Sequence, residues 1–238
     1  MTVSTLPFLF AAQIAFGLLF GFRASAAGLR TMGGIAAALS VWACVTAWMA
    51  LSGIYDSGLV LSLMPGLWLP VVPFILVGIF LLSHEQRQTI FHIAGNTPSH
   101  WLVAVQSLRI LAIGTLIKTA QGTFPLEVFL AIGLTDLAFG LSALPVFVLV
   151  RKKRIHKDAL VLWHLVGIAL ILVPGMLALQ TGLPGPMQMF DRYPTSAVML
   201  DWPMALGPTL VVPVFLIFNL LGAVAAWRAA SPNEGSQT

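Results

Sequence analysis

Charge is what this sequence has least of. Twelve Lys and Arg with eight Asp and Glu make only 8% of 238 residues, while 58% are hydrophobic and the mean hydropathy is +0.95. So few charged groups cannot coat a water-facing surface, which excludes an ordinary soluble domain and places the chain in lipid. Cysteine is nearly absent too. A single Cys44 rules out an internal disulfide, and within its apolar run it reads as a small buried hydrophobe. No basic segment precedes the first apolar run, so the start lacks the pattern of a cleavable signal and that run is expected to stay as a membrane helix.

The usual chemical motifs are missing as well. The last apolar run has no lysine for a retinal Schiff base. Transmembrane haem needs two histidines at matched depth on facing helices, and His164 alone lies clearly inside a run, so haem at His164 is not expected. His84, His92, His100 and His156 read as loop residues. There is no His-x-x-x-His metal spacing, no Gly-x-Ser-x-Gly and no Gly-rich phosphate loop, so neither a metal nor a cofactor is expected and enzyme chemistry is not signalled. A net charge of +4 and a pI near 9.7 would suggest nucleic acid in a soluble domain. Here Arg23 and Arg30 with the Arg151, Lys152, Lys153, Arg154 and Lys157 cluster occupy two short loops, a pattern that orients a membrane protein and implies no nucleic-acid partner. The second cluster also suits anionic lipid headgroups.

What the sequence does hold is a set of long apolar runs. Spanning a bilayer core takes about 20 residues at ~1.5 Å each. Seven runs qualify: Val3 to Phe22, Thr31 to Leu51, Met64 to Leu82, Trp101 to Thr119, Pro125 to Val150, Ala159 to Leu179 and Trp202 to Trp227. The expected fold is therefore an all-α, polytopic membrane protein of seven transmembrane helices, one domain over residues 1–230 with a disordered cytoplasmic tail at 231–238. Loops one, three and five are the basic ones, with Arg87 in the third, whereas Asp56 and then Asp191 with Arg192 mark loops two and six. Basic loops stay inside, so the N-terminus is expected outside and the C-terminus in the cytoplasm. The seven tryptophans read as headgroup anchors near helix ends. Prolines 70, 73, 145, 174, 208 and 213 can bend their helices, and small-residue faces such as Gly17 with Gly21 permit close packing.

Polar residues deep in these runs demand an account, because a charge in hydrocarbon costs at least ~2.5 kcal/mol. Arg109 in the fourth run and Asp136 in the fifth are mirror positions about a turn centred at Gly122 and Thr123. In an antiparallel hairpin mirror positions share a depth, so an Arg109–Asp136 ion pair is natural. Lys118 and Glu127 mirror each other about the same centre. Nine residues at about 100° each put Arg109 and Lys118 on opposite helix faces, so both pairs cannot face the fifth helix squarely. Gln106, three residues before Arg109, shares its face, with Gly114 or Thr115 near. His164 and Asn219 are expected toward the cytoplasmic ends of the sixth and seventh helices, where with Gln106 and Arg109 they would line one cavity opening inward. Interhelical pairing alone would also explain Arg109 with Asp136, and amide glue the rest. Gln13 and Thr46 read as packing.

The runs Gln106-x-x-Arg109-x-x-x-x-Gly114, Gly133-x-x-Asp136-x-x-x-Gly140-x-x-Ala143, Trp163-x-x-x-Gly167 and Pro203-x-x-x-x-Pro208-x-x-x-x-Pro213 resemble a group of small bacterial seven-helix membrane proteins of unassigned function. The resemblance implies an architecture in the bacterial inner membrane. Where that group carries a further acidic residue after the Trp-x-x-x-Gly element, this chain has Ile168 to Leu172, which weakens any carry-over of an ion pathway. The expected function is a non-catalytic accessory subunit of a larger membrane complex, respiratory or photosynthetic, with membrane lipids and other subunits as partners. The alternative is a small transporter or ligand-binding membrane protein using the Arg109 and Asp136 region.

Overall fold

A computed structural model describes residues 4–228, all helix and loop. Seven helices are long and apolar enough to cross a membrane. They are α1 (Leu6–Ala24), α2 (Ala26–Leu51), α3 (Pro65–Leu82), α5 (Ser99–Ala120), α6 (Leu126–Arg151), α7 (Lys157–Thr181) and α8 (Gly207–Arg228), with α4 (His84–Asn96) between the third and fourth spans. The protein is thus an all-helical, multi-pass membrane protein. Val3 of the expected first run, the end of the expected domain and the expected tail at 231–238 lie outside the described residues.

The span boundaries depart from expectation where local geometry intervenes. The expected first loop shrinks to Ser25, an extended residue whose Oγ accepts from the Gly28 N–H at 2.9 Å and starts α2. This corner needs two glycines, since a Cβ at Gly21 or Gly28 would come within 2.6 or 2.7 Å of the other's carbonyl oxygen. Arg23 and Arg30 therefore sit on helix ends. The stretch holding His84 and His92, expected as loop, forms α4, whose Ile93 and Ala94 are buried. It packs on α1, α2, α3 and α8, and the Arg228 guanidinium lies 4.2 Å from its Phe91 ring. The seventh span starts at Gly207 instead of Trp202, residues 201–205 forming turns before it.

Cys44 is exposed, contrary to its expected burial. Val41, Cys44 and Trp48 repeat at helical spacing and form the lipid-facing stripe of α2. At the other extreme, α8 is 72% buried against 11% for α2, with α1, α2, α3, α4, α5 and α7 packed against it.

Polar side chains tie that central helix in place. Pro213 lacks the N–H that would take the Thr209 carbonyl, and Trp42 Nε1 donates to that oxygen at 3.1 Å. Trp42 is thus an interior donor and not the headgroup anchor its type suggests. Gln13 Nε2 donates to Val211 O at 2.9 Å, and Gln106 Nε2 to Phe215 O at 3.3 Å. In lipid every backbone carbonyl must be satisfied within the protein, and these amides add bonds along α8.

The end of the bundle where α1 and α8 begin is closed by two loops. Tyr55, Leu183, Met199 and Leu200 from residues 52–64 and 182–206 bury against Phe124. Partial burial there, with Asp56 nearby, holds the Asp201 carboxyl above its usual range.

Candidate functional site

The polar centre lies where α5 and α6 touch most closely. A Cβ at Gly140 would meet the Ile110 nitrogen at 2.6 Å and the Arg109 carbonyl carbon at 2.9 Å, so only glycine admits this approach. Asp136 is one turn before Gly140 on the same face. Two irregular stretches flank this level: a 3₁₀ turn at Leu108–Ala112 around Arg109, and a π-turn at Phe129–Gly133 before Asp136. Such breaks re-aim side chains and frequent functional sites.

Arg109 is 1% exposed. Its Nε donates to Asp136 Oδ1 at 2.7 Å, and its Nη1 reaches Gln106 Oε1 at 3.4 Å. The guanidinium carbon lies 4.8 Å from the Phe139 ring centroid and 5.7 Å from that of Phe215, contacts that suit a weakly hydrated cation. The carboxylate meets the guanidinium through Nε alone and not through a two-pronged fork, and Nη2 is buried without a partner. The structure therefore brings Gln106, Arg109 and Asp136 together and leaves a donor of the cation unspent.

Beside this cluster is a cavity of about 120 Å³ walled by Arg109, Lys118, Asp136 and Thr115, with apolar residues such as Phe124 and Met199. Ser4 and Thr5, where α1 begins, also line it. Lys118 shares a cavity with Arg109, contrary to the opposite-face expectation. The 3₁₀ turn supplies the reason: its residues advance about 120° each instead of about 100°, so the three or four steps that follow Arg109 within it bring Lys118 roughly 60–80° round from the opposite face. The mirrored Lys118 and Glu127 form no salt bridge among the described residues, and Arg109 with Asp136 is the pair that faces across. Lys118 Nζ instead lies 3.1 Å from the Met204 sulfur, a weak acceptor.

His164 and Asn219 form a separate site. His164 Nδ1 and Asn219 Oδ1 are 2.9 Å apart, both residues being fully buried. The imidazole lies on the bare backbone of Gly222, where a Cβ would come within 2.4 Å of it. Neither residue, nor Gln106, lines the Arg109 cavity, which lies toward the end where α1 begins. The expected common inward cavity is absent because α8 fills that space, engaging Gln106 through Phe215 O and His164 through Asn219. A larger cavity of about 230 Å³ among α1, α2, α3, α4 and α8 has Gln13 as its single polar wall residue.

The sequence reading did not single out Met204 or the Ser4 and Thr5 segment. Ser and Thr just before an apolar run are a helix-start signal, which would have located the latter. Gln180 also escaped notice: its Oε1 accepts from the Gly66 N–H at 3.0 Å and ties α7 to α3.

Comparison with known proteins matches residues 66–225 to the family described as "Domain of unknown function (DUF8737)". No curated protein and no solved structure matches. The match takes in α3 through most of α8, including Arg109, Asp136, His164 and Asn219, and the chain belongs to this family of unknown function.

Proposed function

We propose that the protein is a non-catalytic, multi-pass component of a bacterial inner membrane, N-terminus outside, that binds a small ligand in the cavity beside Arg109 and Asp136. The observation that carries this reading is the cavity itself, which lies beside the Arg109–Asp136 pair and shares its wall with Lys118, whose ammonium has only a thioether within reach. A pair serving only to lock α5 to α6 needs no room beside it. The basic loops favour the stated orientation, which would put the cavity toward the outer face.

A second reading, an accessory subunit of a larger membrane complex, draws on α2, whose outer stripe leaves it only 11% buried. Native mass spectrometry after extraction in a mild detergent separates the two. A monomer retaining a small molecule, lost in Arg109→Gln, is the expected result. A stoichiometric complex with another protein and an empty cavity would replace the binding reading with the subunit one.

A further inference from the structure

Resting on the binding reading above, we infer that the cavity takes a short-chain monocarboxylate, its carboxylate on Lys118 and its apolar body against the surrounding side chains. Two features converge on an anion once the buried Arg109 is set against its partner Asp136 as a neutral pair. Lys118 Nζ, on the same wall, has only a thioether within reach. Helix α1, 19 residues long, begins at the same wall, where Ser4 Oγ accepts the Leu6 N–H at 3.4 Å and the positive end of the helix dipole adds to the field.

Charge balance selects the kind of anion. Two cations and one carboxylate on the wall leave one positive charge in excess, which a monoanion neutralises and a phosphate near ~−1.5 to −2 overshoots. The remaining wall is apolar, with Leu9, Phe124, Val128, Ile132 and Met199 among its residues. An ion with acceptor oxygens on every side would leave most of them unbonded there, whereas a carboxylate with a hydrocarbon body turns its oxygens one way. Size sets the upper limit. An apolar cavity of about 150 Å³ holds a benzene molecule, so 120 Å³ admits a body of about three or four carbons.

Isothermal titration of the full-length protein in detergent, with butyrate, butyramide and inorganic phosphate as probes, tests the inference. Saturable butyrate binding is expected, with butyramide and phosphate each at least about tenfold weaker, the size of one charge-assisted hydrogen bond. Lys118→Gln, at a partly exposed position that should fold normally, should weaken butyrate by roughly tenfold and leave butyramide unchanged. A second variant probes the space itself: Gly114 lines the cavity and a Cβ there meets nothing within 4 Å, so Gly114→Leu should fold and abolish binding. Equal binding of butyrate and butyramide would overturn the anion while leaving a ligand cavity standing. Phosphate matching butyrate would overturn the carboxylate. Butyrate binding untouched by both variants would place it elsewhere and overturn the site. If no probe binds, the carboxylate is rejected, and a small molecule retained in native mass spectrometry then decides whether the cavity binds anything.

Discussion

The bundle holds two buried polar sites that look alike in sequence and differ in what surrounds them. Arg109 with Asp136 borders a cavity, whereas His164 with Asn219 is sealed against Gly222, although each site leaves a buried polar atom without a partner. Depth in the membrane is common to both. The contrast teaches that a polar residue at depth marks a ligand site only where the helices leave space beside it.

The largest effect that would break the contrast is at the ion pair. Asp136→Leu leaves the Arg109 charge uncompensated and should cost about 3–5 kcal/mol in denaturant unfolding, much of it recovered in the double variant with Arg109→Leu. A cost near zero for the single change would mean that the guanidinium finds another partner. Next come the glycines. Gly222→Ala drives a Cβ into His164 and should lower stability by about 1–3 kcal/mol. By contrast, Gly114→Ala, facing open space, should raise it by up to about 1 kcal/mol through helix propensity. Equal effects from the two alanines would erase the distinction between a sealed and an open site. Trp42→Phe, which removes the donor to Thr209 O, should cost about 1 kcal/mol, measurable as a lowered Tm.

The smallest effect lies outside the membrane, at Asp201. Its carboxyl is raised by burial and by Asp56, so the folded state holds that proton more tightly than the unfolded one. The associated stability is present below the unfolded carboxylate range and is lost as pH rises through the folded value. Asp201→Asn should therefore flatten the decline in Tm between acid and neutral pH while leaving both intramembrane sites as they are. An unchanged pH profile would remove Asp201 from this account.

The spans were readable because about 20 apolar residues in a row have few alternatives to crossing a bilayer. The mirror relation likewise placed Arg109 beside Asp136, since an antiparallel hairpin fixes depth. Faces were harder. Leu108-Arg-Ile-Leu-Ala112 contains nothing that disfavours an α-helix, so its 3₁₀ turn, and with it the direction of Lys118, comes from tertiary contact at Gly140. Helix α4 was hidden by its polar composition and shows its role only through the neighbours that bury Ile93 and Ala94. Trp42 was misplaced for a different reason. Its partner, Thr209, is 167 positions away, and a lone sequence shows that Pro213 frees a carbonyl without showing which side chain takes it.

The ties converging on α8 bear on how the chain is assembled. Spans enter the bilayer in order of synthesis, and Gln13, Trp42 and Gln106 all emerge before the carbonyls they bond. Until residues 209–215 arrive, those side chains have no native acceptor in hydrocarbon and must borrow water or one another. The bundle is therefore completed from its centre last, and an arrest of translation before α8 leaves the six earlier spans without the helix on which most of them pack.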